Sequence, residues 1–226
     1  MEKFDSIYQR ACDRKGGMPQ LETLLGKPKT RAQLTDVDDS RFLSEFSKKV
    51  FQSGFVWRVV EQKWPNFEEL FWGFDVQKLV LMPPDMMDEK AADARIIRNH
   101  RKVQSIIENA HFIKEVSDKH GGFGKFIAEW PSDDIIGLWA LLKKEGSRLG
   151  GNTGPYGLRA VGKDTFLLSR DVEGYFRNFK LIDGGLNSKR SLTAIQHAFN
   201  TWQQESGRSL MEISRTLAFG FGDNYV

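Results

Sequence analysis

Apolar side chains recur along this chain at spacings of three, four and seven residues and almost never alternate with polar ones, which predicts a nearly all-α fold. The clearest stripe joins Leu43, Phe46, Val50, Trp57, Val60 and Trp64, behind Asp38, Asp39 and Ser40 as candidate caps. Gly54 interrupts it; glycine in a helix interior costs about 1 kcal/mol relative to alanine, so a break is expected there. A short helix over 6–14 is followed by the breakers Gly16, Gly17, Pro19, Gly26 and Pro28, so residues 1–35 are expected to form an arm over the body. Past Pro65 a separate short amphipathic helix is expected, with Phe67, Leu70 and Phe71 inward, and Asp75 is expected to cap another through Met82. Further helices are expected over 85–92, after Pro83 and Pro84, and over 101–119, closed by Gly121 and Gly122. Ser132, followed by Asp133 and Asp134, caps a helix that Gly146 stops. Ser188 caps one through Gln204, and Ser209 with Glu212 makes a capping box for a last helix to about Phe219.

Composition narrows the class. With 226 residues, 40% hydrophobic and 28% charged, and no repeat, low-complexity tract or Gly/Ser linker, one globular domain over 1–226 is expected. No run of about 18 apolar residues offers a membrane span, and the start MEKFDSIYQR lacks the apolar stretch of a signal peptide. An intracellular, cytoplasmic protein with no membrane partner is therefore expected. Its single cysteine, Cys12, excludes an internal disulfide and a thiol pair for zinc. His100, His111, His120 and His197 show no metal-ligand spacing, the terminus FGFGDNYV holds no zinc-ligand set, and no Walker loop, dinucleotide fingerprint or GxSxG elbow is present. Neither metal nor cofactor is expected.

A net charge of +3 and a pI near 8.9 do not by themselves argue for nucleic acid. The distribution says more. Acids gather at 36–39 and 85–93, whereas cations gather at 95–102 and 143–159, with Arg98 and Arg101 candidates for phosphate contact and a purely solvated role equally open.

The second basic region surrounds the most informative stretch of the chain. After the helix that ends at Gly146, the segment Gly150, Gly151, Asn152, Thr153 and Gly154 reads as a tight hairpin, and Pro155 suits the first turn of a new helix. Glycines let successive N–H groups converge, and the new helix adds its positive end, so the turn suits a phosphate, with Lys144 and Arg148 beside it. The alternative is an ordinary connector between helices.

Residues 141–170 resemble the helix-hairpin-helix motif of base-excision DNA glycosylases, in which the hairpin grips the DNA backbone and a catalytic aspartate follows the second helix. The chain is most similar to the 3-methyladenine DNA glycosylase I family, through GFVWRVVEQKWPNFEELFWGFD (54–75) and ARIIRNHRKVQSIIENA (94–110) as well. The resemblance implies the helix-hairpin-helix glycosylase fold, a compact all-α bundle with a DNA-facing cleft. It further implies a monomeric, monofunctional enzyme, bacterial in type and bound at the nucleoid, that hydrolyses the N-glycosidic bond of alkylated purines, above all 3-methyladenine, in double-stranded DNA.

On the same resemblance Asp164 stands at the catalytic position and Trp57 at that of a pocket tryptophan that stacks on the flipped base, with Phe55 beside it. Packing is the alternative for Trp57. For Asp164 the alternative is a cap for a helix beginning at Thr165, with Asp171 a second candidate carboxylate. The family carries a base-reading glutamate eight residues before its tryptophan, where this chain has Lys49; Glu45, one turn back, replaces it only in a different register. Tyr8 is the tyrosine available to line the pocket from the amino-terminal side. Lys144 stands near the Schiff-base lysine of lyase-competent relatives and is assigned to phosphate contact instead. A catalytically silent DNA-binding protein and a helical interaction protein that ignores DNA are the competing functions.

Overall fold

The computed structural model describes residues 1–222; positions 223–226, the end of the FGFGDNYV terminus, lie outside the described residues. The described residues form α-helices and short 3-10 turns, with no strand among them. In chain order the helices are α1 (Phe4–Arg14), α2 (Met18–Leu25), α3 (Arg31–Thr35), α4 (Asp39–Gln52), α5 (Trp57–Leu70), α6 (Val76–Val80), α7 (Pro84–Ala92), α8 (His100–His120), α9 (Phe123–Glu129), α10 (Ile135–Glu145), α11 (Thr153–Val161), α12 (Arg170–Asn178), α13 (Lys189–Ser206) and α14 (Leu210–Phe219). They divide into two compact units: Met1–Pro28, Pro131–Leu138 and Asp164–Val226 make the first, and Lys29–Trp130 with Trp139–Lys163 make the second.

The second unit is built round α4, against which α5, α8, α9 and α11 pack. Phe42, Leu43, Phe46, Val50 and Phe51 of α4 are all buried, as a 3.6-residue stripe facing several neighbours must be. Phe123 of α9 meets the rings of Phe42, Phe112 and Phe46 edge-on at 5.1, 5.6 and 6.1 Å. The expected break at Gly54 separates α4 from α5. Pro65, however, starts no new helix: α5 continues through it from Trp57 to Leu70. An interior proline costs about 3 kcal/mol. The helix persists because Trp64 and Phe67 are both buried and the Trp64 ring stacks at 4.8 Å on Phe67 and 5.4 Å on Phe74.

The first unit is organised round α14, with α1, α2, α12 and α13 against it. Residues 1–35 contain three helices, and α1 buries Phe4, Ile7 and Ala11. The capping box at Ser209 and Glu212 and the cap at Ser188 are both present. Asp134, rather than Ser132, accepts the Gly137 N–H at 3.0 Å and caps α10. No helix begins at Thr165. Residues 163–169 are non-helical, Phe166 stacks on Phe199 with centroids 4.1 Å apart, and α12 opens only at Arg170 with Ser169 as its cap. None of the helices is long and apolar enough to cross a membrane.

Candidate functional site

The hairpin lies in the second unit, and its shape follows from its residues. The Gly146 N–H closes the end of α10 on the Leu142 carbonyl; Arg148 and Gly151 then take left-handed conformations, with φ of 59° and 60°. Between them Leu149 is buried, which anchors the turn, and the Gly154 N–H donates back to the Leu149 carbonyl at 3.1 Å. A Cβ on Gly154 would stand 2.5 Å from that carbonyl oxygen, so the tight return needs glycine. α11 opens at Thr153, two residues before Pro155, which still falls in the first turn. Asn109 of α8 pins the approach from the side: its amide donates to the Ser147 carbonyl at 3.0 Å and accepts the Ser147 N–H at 2.8 Å.

α11 then runs close against α4. A Cβ on Gly157 would come within 2.3 Å of the Phe46 ring, so this glycine sets the approach of the two helices. That approach brings the hairpin beside the end of α4 and the start of α5. The result is an open pocket of about 230 Å³ lined by Lys49, Gln52, Ser53, Trp57, Asn152, Thr153 and Tyr156. Trp57, 54% exposed, meets Tyr156 edge-on at 6.2 Å and 83°. It is therefore not a core residue, although the helical stripe counts it as one. Small-molecule sites usually run from about 300 Å³ upward, so this volume suits one flat ring system rather than a larger ligand.

Lys49 lines the pocket, its Nζ 5.5 Å from the centre of the Trp57 ring and 2.8 Å from Gln52 Oε1. Gln52 in turn donates to Glu61 at 2.6 Å. Burial pushes the Lys49 ammonium below the ordinary lysine range, against the opposing pull of Glu45 and Glu61. Glu45 is engaged by Lys48 at 3.1 Å and is not among the described lining residues, so the register keeps lysine at the pocket. Phe55 does not line it either; it is exposed on the loop before α5, with Lys102 Nζ 4.9 Å from its ring centre.

The cations divide into separate roles. Lys102, at the end of the first basic cluster, is buried and donates to the Val50 and Phe51 carbonyls at 2.7 and 3.3 Å, closing the end of α4 that carries the pocket. Arg95 pairs with Asp93 and Glu69, and His100 with Asp88. Lys144 is exposed and pairs with Glu145 at 2.7 Å. Arg98, Arg101 and Arg148 are exposed, and no ion pair engages them among the described residues.

Asp164 belongs to the first unit. Its carboxylate accepts the N–H groups of Leu210 and Met211, at 3.1 and 2.8 Å, at the start of α14. It therefore caps a helix far along the chain, which fixes its orientation and complements its charge. Tyr8 lies in the same unit, its hydroxyl bonded to Glu22 and its ring carrying the Arg208 guanidinium at 4.5 Å. Sequence reasoning missed Gln52, Ser53 and Tyr156 of the pocket. Gln52 stands three residues after Lys49 and Tyr156 directly follows Pro155, but no local pattern shows that these helix ends meet. Among the described residues no group of His, Cys, Asp or Glu is arranged to hold a metal.

A family model described as methyladenine glycosylase matches residues 33–145, half of the 226-residue chain. That span contains α4, α5 and Lys49, and stops before the hairpin. No curated protein sequence matches the chain. Among solved structures, the 8-oxoguanine DNA glycosylase of Methanocaldococcus jannaschii is similar over 94% of this chain and 92% of its own, at 12% identity and a TM-score of 0.60. A structure of that organism's 8-oxoguanine glycosylase/lyase with a 15mer DNA containing 8-oxoguanine gives 95% and 88% coverage, 12% identity and a TM-score of 0.51. 3-Methyladenine DNA glycosylase I from Staphylococcus aureus is similar over 55% of this chain and 77% of its own, at 22% identity and a TM-score of 0.49. The near-complete coverage by the first of these makes the fold that of the helix-hairpin-helix DNA glycosylases.

Proposed function

The chain belongs to the methyladenine glycosylase family, and on that premise we propose that it releases alkylated purines, 3-methyladenine among them, from double-stranded DNA through the pocket between α4, α5 and the hairpin. It is a base-excision DNA glycosylase, a hydrolase of the N-glycosidic bond. The observation that carries the pocket assignment is that Trp57 and Tyr156 meet Asn152 and Thr153 of the hairpin round one cavity, so the element suited to hold a DNA backbone borders a space suited to one base.

A glycosylase cannot reach its bond inside a stacked duplex, so the base must leave the helix. Hairpin N–H groups and the start of α11 hold a phosphate, with Arg98, Arg101 and Arg148 adding positive charge and Lys144 a weaker contribution because Glu145 already engages it. Phe55 and Val56, apolar and exposed beside the pocket, fill the gap left in the stack. The extruded base stacks on Trp57 and Tyr156, an interaction worth about 1–3 kcal/mol per base. The leaving base takes the bonding electron pair, the sugar develops oxocarbenium character, and water adds to it. Asp164, the carboxylate that follows the second hairpin helix in sequence, stabilises that positive charge. A methylated purine that is already cationic leaves readily, so extrusion and electrostatic help supply most of the acceleration.

The test is release of 3-methyladenine from methylated duplex DNA by the purified full chain, followed by chromatography. Release above the spontaneous rate is expected, with Trp57→Ala slowing it by about tenfold or more, the loss of one stacking partner. Wild-type release by Trp57→Ala places the base elsewhere, and no release from the wild type removes the proposed activity.

A further inference from the structure

We propose that Lys49 sets the lesion preference of this enzyme, so that the pocket favours uncharged purine lesions offering a hydrogen-bond acceptor over lesions that carry a fixed positive charge. The inference rests on the pocket being the base site. Its described lining residues are Lys49, Gln52, Ser53, Trp57, Asn152, Thr153 and Tyr156, and no carboxylate is among them. The two carboxylates whose charges act on Lys49 are bonded to other partners, Glu45 to Lys48 and Glu61 to Gln52. None of the described lining residues therefore places a carboxylate directly against a cationic base.

The hydrogen-bond chain gives the wall its polarity. Glu61 accepts from the Gln52 amide nitrogen, which turns Gln52 Oε1 toward Lys49, and that oxygen accepts from Lys49 Nζ at 2.8 Å. An ammonium has three N–H donors, so further donors remain for a base edge, and an uncharged amine still donates. The face of Trp57, where a cationic purine gains most from an aromatic ring, already has Lys49 Nζ 5.5 Å from its centre. A cationic lesion entering here meets a like charge at the ring that should attract it. An uncharged lesion with a carbonyl or ring-nitrogen acceptor gains a bond from the same amine. 3-Methyladenine, cationic in DNA, is then released, but less efficiently than its uncharged counterparts.

The experiment compares kcat/KM of the full chain on duplex DNA carrying uncharged hypoxanthine or 1,N6-ethenoadenine with that on methylated duplex DNA releasing 3-methyladenine. The wild type is expected to favour the uncharged lesions. Lys49→Gln should shift the ratio toward the cationic lesion by about tenfold, the scale of one charge–charge contact in a partly open pocket, and Lys49→Glu should shift it further. Binding of wild-type protein to uncleavable 2′-fluoro duplexes carrying uncharged or cationic bases gives the same ranking without any variant. A ratio unchanged in both variants, or tighter wild-type binding of the cationic duplex, overturns the role of Lys49 while leaving the glycosylase reading intact. No release from any of these DNAs by the wild type removes that reading, and the lesion preference with it.

Discussion

At the scale of single residues, Asp164 and Lys102 show how one side chain can serve the fold in a way its neighbours in sequence do not announce. Lys102 sits in a run of cations, yet α8 turns it toward the end of α4, where two carbonyls need a donor. Asp164 caps α14 through Leu210 and Met211, more than forty residues away. That second bond pair separates structure from chemistry by experiment. Asparagine keeps one of the two acceptor oxygens and so part of the cap, whereas alanine forfeits all of it, about 1 kcal/mol. Asp164→Asn is therefore expected to unfold at a midpoint between those of the wild type and Asp164→Ala, while base release falls by a factor on the order of a hundred, the usual cost of removing one electrostatic group from a reacting centre. Full release by Asp164→Asn, together with destabilisation in Asp164→Ala, would leave the residue a cap and nothing more.

At the scale of elements, the pocket exists because α11 lies tightly on α4. The contact depends on Gly157, whose missing Cβ leaves room for the Phe46 ring. Gly157→Ala forces either the ring or the helix to move, and overpacking of this kind costs about 1–3 kcal/mol. The expected result is a lower urea midpoint with an unchanged slope, together with weaker base release, because the hairpin wall of the pocket shifts with its helix. An unchanged midpoint would mean that the helices are not held at this distance. The helix ends themselves were legible in sequence where a cap is local, as at Ser188 and at Ser209 with Glu212. They were misread where packing overrides a local rule, as at Pro65, whose helix is held by the buried Trp64 and Phe67.

At the scale of the whole molecule, a net charge of +3 is too small to explain DNA binding, so the affinity must come from where cations stand. Arg98, Arg101 and Arg148 are the exposed candidates, whereas Arg95, His100 and Lys102 of the same basic run are engaged within the protein. Each phosphate contact adds about one to the slope of log K against log salt, so single alanine substitutions of Arg98, Arg101 and Arg148 should each lower the slope by about 1 and weaken binding to all sequences alike. Slopes equal to that of the wild type would move the DNA to another face. The sequence by itself determined the helical class, most helix starts, the glycine hairpin and the family resemblance, because caps, glycine turns and 3.6-residue stripes act within a few neighbouring residues. Only the tertiary structure decided that Trp57 is exposed beside Tyr156, that Lys49 rather than Glu45 meets the pocket, and that Lys102 serves the end of α4. Those outcomes depend on which helix ends are brought together, and that is set by close packing between residues as far apart as Phe46 and Gly157.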